Sequence, residues 1–311
     1  MKENKYTPFL YILPAFILVF AFRFIPIMLT FIVSFFEWTI NGAGKFIGFE
    51  NYAHLIKDPD FWTSLVNTFY LVIFVVPLSI VLSLFFAALL NQVKHLKGFF
   101  RTIYFLPFVT SLVAVSIVWK IIFNQQSGLA NFFLAKVGLG PQGWLAESRG
   151  IFTLFFSHFG IHIPTWLGGP SLALFCIIIL TVWKSLGYNT IIYLAGLQNI
   201  PKEMYEAAEI DGATKTRQFF GITIPLVSPT SFYVLLMTTI TTFQAFAQIY
   251  LMTGPPIGGP LKTTKVIVYY IYETGFDNQN LSYASAVALV LFIIILALTL
   301  WQKRLERNVT Y

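Results

Sequence analysis

His158 and His162 stand four residues apart, the spacing with which two histidines on one face of a helix hold a zinc ion. Between them lie Phe159, Gly160 and Ile161. The glutamate that would act as general base is therefore missing, and with no third ligand nearby the pair reads as polar residues of an interfacial segment. His54 and His95 are isolated in connecting segments. Gly42-Ala43-Gly44-Lys45-Phe46 comes nearest to a phosphate-binding loop but lacks both its spacing and its hydroxyl, so this chain does not hold ATP in that way. An intramembrane enzyme needs a convergent nucleophile and base, or a ligand set, and neither appears. Cys176, the only cysteine, can form no intrachain disulfide and sits in an apolar run as a small hydrophobe.

Polar residues inside apolar runs are more informative, because such groups are costly in lipid and turn toward a cavity or another helix. One run carries Trp183, Lys184, Ser185, Tyr188 and Asn189; another carries Thr238, Thr241, Ala245 and Gln248 at three-and-four spacing, flanked by Thr242 and Gln244. Small and hydroxyl residues also serve interhelical packing, so for the threonines both readings stand. Amide, ammonium and phenol groups favour a translocation pathway. Aromatic faces with amides and hydroxyls suit a sugar. Lys184 fits an anionic solute, such as a uronic-acid oligosaccharide or a sugar phosphate, and equally an acid on a partner subunit.

The elements that must carry these residues are membrane helices. Of 311 residues, 57% are hydrophobic and 11% charged, with 34 Phe. Mean hydropathy is +0.74. Soluble domains carry about 25% charged residues, so lipid must solvate most of the outer surface. Disorder and a cytosolic enzyme are excluded, and the basic residues form no aromatic-interleaved patch for nucleic acid. Six runs reach the roughly 20 residues needed to cross a bilayer: about 9–34, 67–90, 101–123, 171–194, 226–250 and 281–301. The first follows Lys2 and Lys5 but has no cleavage site and continues past Arg23, so it reads as an uncleaved helix rather than a signal peptide. Ile151 to Ile163 is about half the required length and reads as interfacial.

Charge sets the orientation. With six spans and both termini cytoplasmic, the inside collects Lys2, Lys5, Lys94, Lys97, Arg101, Lys202, Lys215, Arg217, Lys303, Arg304 and Arg307, eleven of the twenty basic residues. Seven fall outside, Lys120 near the outer end of the third run and six on connections of roughly 37–66, 124–170 and 251–280 broken by turns such as Gly168-Gly169-Pro170. These long connections offer a docking surface on the outer side.

On the inside, between the fourth and fifth runs, Pro201 opens a short helix, Lys202 to Ile210 continue it and Asp211-Gly212 close it. Met204, Tyr205, Ala208 and Ile210 give it an apolar surface that either the membrane or a partner must cover. Glu206-Ala207-Ala208, then Gly212, then Ile222-x-Ile224-Pro225 resemble the EAA loop of the membrane subunits of binding-protein-dependent ABC importers, with Ile224 in the usual Leu place. Leu197-Gln198-x-Ile200-Pro201, Pro225-Leu226-x-x-Pro229, Trp166-Leu167-Gly168-Gly169-Pro170, and Met252-Thr253 followed by Gly258-Gly259-Pro260 resemble the carbohydrate branch, specifically its maltose-type first permease subunit.

The resemblance runs from the first helix to the last. It implies an all-α type I importer permease of about six spans, in a bacterial or archaeal cytoplasmic (inner) membrane, with a coupling loop near 197–225. In that loop Glu206, Ala207, Ala208, Asp211 and Gly212 would meet the ATPase. Alanine and glycine permit close approach, Gly212 permits a positive φ, and Glu206 can make charge-assisted hydrogen bonds; capping by Asp211-Gly212 is an alternative for those two. The related permeases place their sugar site on the fourth and fifth helices. That implies Trp183, Lys184, Ser185, Tyr188, Thr238, Thr241, Thr242, Gln244, Ala245 and Gln248 as the pathway. Implied partners are a second permease subunit, two ATPase subunits carrying the ATP and magnesium, an extracytoplasmic solute-binding protein and the sugar. No cofactor is implied on this chain. A secondary transporter is the rival from another class; it requires acids within the spans, and none of the six has an internal Asp or Glu.

Overall fold

The structure, a computed structural model, describes residues 7–39, 42–93, 96–164 and 167–306. Lys2, Lys5, Lys94, His95, Trp166 and Arg307, used in the sequence reading, lie outside the described residues. The described residues are mostly helical, and the chain divides into two compact units. One takes in the chain up to Phe61 with Tyr270–Ile294; the other takes in Trp62–Tyr269 and the chain from Ile295 onward.

The first unit begins with α1 (Thr7–Val19), a π turn (Phe20–Phe24) and α2 (Ile25–Val33). Together they present an apolar surface, none of it buried within the chain, as expected of a helix solvated by lipid or by a partner subunit. Arg23 lies in the π turn. A hairpin of β1 (Phe36–Thr39) and β2 (Gly42–Phe46) pairs Phe36 with Phe46 and precedes α3 (Glu50–Lys57). Asp58 follows α3. Its carboxylate accepts hydrogen bonds from Tyr270 Oη, from Tyr283 Oη at 2.6 Å and from the Asp60 amide at 2.9 Å. Burial raises the pKa of this carboxyl, but the two phenols and the Asp60 and Phe61 amides outweigh it and hold the group below its ordinary value.

The second unit contains most of α4 (Pro59–Gln92), then α5 (Lys97–Val109), α6 (Leu112–Ile122), α7 (Leu129–Lys136), α8 (Ile151–His158) and α9 (Leu172–Gln198). After α10 (Lys202–Ile210) come α11 (Lys215–Gln218), α12 (Ile224–Leu226), α13 (Ser228–Phe243) and α14 (Ala247–Met252); α15 (Ile267–Tyr272) and α16 (Leu281–Leu305) complete the chain. Ser171 caps α9, its hydroxyl accepting from the Leu174 amide at 3.0 Å. The core beneath α10 is built from Ala87, Leu90, Tyr193, Leu194, Leu197, Ile200, Val227 and Val234, with Tyr205 packed against it. A β-carbon at Gly196 would meet Thr230 Oγ1 at 2.5 Å, so glycine there lets α9 and α13 touch.

Three sequence expectations change. The run 101–123 is not one straight helix: α5 and α6 meet at 93° across Thr110 and Ser111. Pro107 supplies a reason, because it lacks the N–H that continues the helix ladder. The run 226–250 is also divided. The helical stretch 215–226 bends by 64° into α13, which ends at Phe243, and α14 restarts at Ala247. Within α13, Thr241 and Thr242 bond back to the Met237 and Thr238 carbonyls at 2.8 and 2.6 Å, a pattern that bends helices. Finally, α8 ends at His158, and Gly160, with φ of +73°, turns the chain. His158 and His162 therefore do not share a helix face. The eight residues of α8 rise only about 12 Å, well short of a span.

Candidate functional site

A cavity of about 430 Å³ lies where α9 faces α5, α6, α13 and α14. Lys184, Ser185, Tyr188 and Asn189 line it from α9, and Thr238, Thr241 and Thr242 from α13; Gln248 comes from α14. Leu180, Thr181, Phe108, Leu112 and Met237 complete the wall. Seven of the ten pathway residues named from sequence thus converge on one space.

The other three do not. Trp183 turns aside and meets the Trp119 ring edge-on at 5.9 Å. Gln244 caps α13 and is exposed, while Ala245 is buried without lining the cavity. The break at 244–246 explains this, because a stripe drawn through 238, 241, 245 and 248 assumed continuous helical phase. Gln248 reaches the cavity from the restarted helix.

Phe108 was not named from the sequence, and Asn189 was singled out with the polar residues of its run but not carried into the ten. Phe108 stacks on Tyr188 with ring centroids 5.0 Å apart and forms an aromatic wall. No signal in an unbroken apolar run distinguishes it from its neighbours. Asn189 is buried and donates to Thr238 Oγ1 at 3.2 Å, tying α9 to α13. Tyr188 Oη shares a 2.9 Å hydrogen bond with Tyr233 Oη. Ser185 Oγ lies 2.6 Å from Ser79 Oγ on α4. Lys184 Nζ donates to the carbonyls of Thr110 at 2.8 Å, Pro107 at 3.1 Å and Phe108 at 3.4 Å. The cavity therefore offers aromatic faces, hydroxyls and amides. Lys184 is its only charged lining residue among those described.

The second candidate surface is α10 and its closing turn. Pro201 starts it, and Glu203 in the first turn suits the positive end of the helix. Gly212 has φ of +75°; its amide bonds the Glu209 carbonyl at 3.1 Å and the Ala213 amide bonds the Ala208 carbonyl at 2.8 Å. These are the two bonds of a Schellman stop. A β-carbon at Gly212 would meet nothing within 4 Å of this chain, so the backbone turn, not intrachain crowding, requires glycine. Thr214 caps α11, and Lys215 pairs with Glu209 across the turn. Ile210 is 87% exposed and Met204 43% exposed, an apolar edge on a polar helix. Tyr205 Oη bonds Thr223 Oγ1 at 2.9 Å, connecting α10 to the segment leading into α13. Glu206, Ala207, Ala208, Asp211 and Gly212 all belong to this helix and its stop.

No group of three or more His, Cys, Asp or Glu that could hold a metal occurs among the described residues.

Residues 5–311 match the family described as binding-protein-dependent transport system inner membrane component, and the chain belongs to it. It is accordingly a transport permease and not an enzyme. It is 36% identical over 299 residues to the lactose transport system permease protein LacF of Rhizobium radiobacter, covering 94% of this chain and 91% of that one. It is 31% identical over 311 residues to the sn-glycerol-3-phosphate transport system permease protein UgpA of Agrobacterium fabrum, covering 99% and 97%. Its fold matches a chain in the crystal structure of a bacterial alginate ABC transporter in complex with an alginate pentasaccharide-bound periplasmic protein. There the TM-score is 0.80 at 23% identity, over 98% of this chain and 95% of the other.

Proposed function

We propose that this chain forms half of the translocation pathway of an ATP-driven importer for a neutral mono- or oligosaccharide delivered by an extracytoplasmic binding protein. The cavity carries the reading: it joins a stacked Phe108–Tyr188 wall to hydroxyls and amides, the surface on which a sugar's CH face and hydroxyl groups are held together. The lactose permease similarity supports it. The second permease subunit supplies the other half of the pore. Two ATPase subunits hold ATP and magnesium on the cytoplasmic side, where Glu206, Ala207, Ala208, Asp211 and Gly212 meet them. ATPase closure moves α10, and Tyr205 passes that movement to the core of α4, α9 and α13.

A second reading, an anionic solute, has the glycerol-3-phosphate permease similarity and the Lys184 charge in its favour. The test is uptake by proteoliposomes containing the permease pair, the ATPases and the cognate binding protein, with ATP inside. The probes are lactose, arabinotriose, trigalacturonate and sn-glycerol 3-phosphate. ATP-dependent uptake of a neutral sugar is expected. Uptake confined to the two anions overturns the neutral reading, and no ATP-dependent uptake alongside binding-protein loading overturns the importer.

A further inference from the structure

Lys184 lies in the cavity wall, yet its ammonium group is already engaged. The break between α5 and α6 leaves the carbonyls at the end of α5 without their usual helical partners. Their accounting is nearly complete. Leu106 O takes the Thr110 amide at 3.1 Å and Pro107 O takes the Thr110 hydroxyl at 2.8 Å. Lys184 supplies donors to Pro107, Phe108 and Thr110. A cation at a helix C-terminus also meets the negative end of the helix dipole. In a lipid-surrounded protein, carbonyls left over at such a break are expensive unless protein donors reach them.

The surrounding packing holds the lysine to this task. Gly187, three residues on, lets the α9 backbone lie against α5, since a β-carbon there would come within 2.8 Å of the Tyr104 carbonyl. Tyr188, one turn beyond Lys184, stacks on Phe108, the residue whose carbonyl Lys184 meets. Lys184, Gly187 and Tyr188 thus grip the end of α5 together.

We propose that Lys184 is a positioning residue that pins the break between α5 and α6 and sets the Phe108–Tyr188 wall, rather than a cation that receives an anionic solute. This deepens the neutral-sugar reading and rests on it only for its consequence for transport. With the lysine's donors turned to the backbone, the described lining offers no free charge to a carboxylate or phosphate.

The variants Lys184→Met, Lys184→Gln and Lys184→Arg separate the two roles. Methionine removes both charge and donors, glutamine keeps donors without charge, and arginine keeps both. In the assembled importer in nanodiscs, spin labels at Ile103→Cys and Val118→Cys report the break. Both positions are exposed, one on each arm, and native Cys176 is buried. Wild type and Lys184→Arg should give one narrow distance population. Lys184→Met should broaden it about twofold or add a second population, with Lys184→Gln in between. An unchanged distribution in Lys184→Met overturns the pin.

Uptake of the four probes is read on the same variants. The pin predicts the order Arg, Gln, Met for whichever probe the wild type carries, with no change in the neutral-to-anionic ratio. A tenfold fall in anion uptake alone in Lys184→Gln overturns the pin and gives Lys184 to the solute. A broadened distribution with undiminished uptake supports the pin and instead removes this cavity from the pathway.

Discussion

In the proposed sugar site, Tyr188 and Gln248, which both line the cavity, would divide two tasks. Tyr188 presents a ring already stacked on Phe108 and oriented through Tyr233, so it holds a flat apolar surface in place before any ligand arrives. Gln248 is buried in the cavity wall at the start of α14. Tyr188→Ala and Gln248→Ala should each raise the half-saturating sugar concentration about tenfold, the equivalent of about 1.4 kcal/mol of lost stacking or hydrogen bonding. Assembly should be unaffected, and uptake titrations on purified complexes check this; wild-type values in both variants would place the site elsewhere. Gln248 and Tyr188 were legible in the sequence because amides and phenols within apolar runs are conspicuous. Phe108 was not, being one Phe among 34. Asp58 carries a separate expectation. Asp58→Asn should lower stability by about 1–2 kcal/mol, toward the lower end of charged hydrogen bonds because the site is only partly buried. The folded carboxyl has a depressed pKa, so its contribution is complete above the unfolded value of about 3.9 and disappears as pH falls through the folded value. The melting difference between wild type and variant should therefore be constant from about pH 7 to 5 and close below about pH 4.

The short helix α10 was readable from its ends, since proline opening and glycine closing are local signals. The same logic failed for α5 and α6. A hydropathy window sees one apolar run across Pro107, and the donor that answers the break is Lys184, some 75 residues away in sequence. The fifth run failed for the same reason: threonine back-bonding and the restart at Ala247 leave composition unchanged while resetting helical phase. Of the two reasons the sequence offered for glycine at 212, close approach and a positive φ, the second is the one seen within this chain. The space around Gly212 within the chain is open, and only its φ of +75° demands glycine. Gly212→Ala should cost about 1–2 kcal/mol in the stop of α10, the penalty for a left-handed L-residue. Asparagine and aspartate both tolerate that conformation better, so they isolate the interface. If this turn meets the ATPase as proposed, Gly212→Asn should retain most uptake, whereas Gly212→Asp should hydrolyse ATP without transport or fail to assemble, because it would place a charge at that contact. ATPase and uptake assays on the three variants decide between the roles. Wild-type ATP-driven uptake in Gly212→Asp would remove this turn from the coupling contact.

At the scale of the whole chain, three of the exposed apolar surfaces among the described residues call for different surroundings. The helix from α1 to α2 has no burial at all and suits lipid or a second permease. Met237 and Tyr233 are 38% and 41% exposed on α13 beside the cavity, where the other half of a pore would close. Ile210 stands out from a largely polar helix, and in the proposed importer a protein on its own side of the membrane would cover it. These assignments agree only if α10 is cytoplasmic, which is the orientation that the basic residues favour. Single cysteines test it directly. Cys176 is the chain's only native cysteine and is buried, so it gives little background label. Leu96 is 71% exposed before α5, while Thr216 on α11 and Gln142 after α7 are also exposed. With the permease expressed without its ATPases, an impermeant maleimide should label Leu96→Cys and Thr216→Cys only in inverted vesicles, and Gln142→Cys only in intact cells or right-side-out vesicles. Labelling of Thr216→Cys from outside would place α10 beyond the reach of any ATPase and would overturn the coupling assignment together with the six-span orientation, whatever the cavity binds.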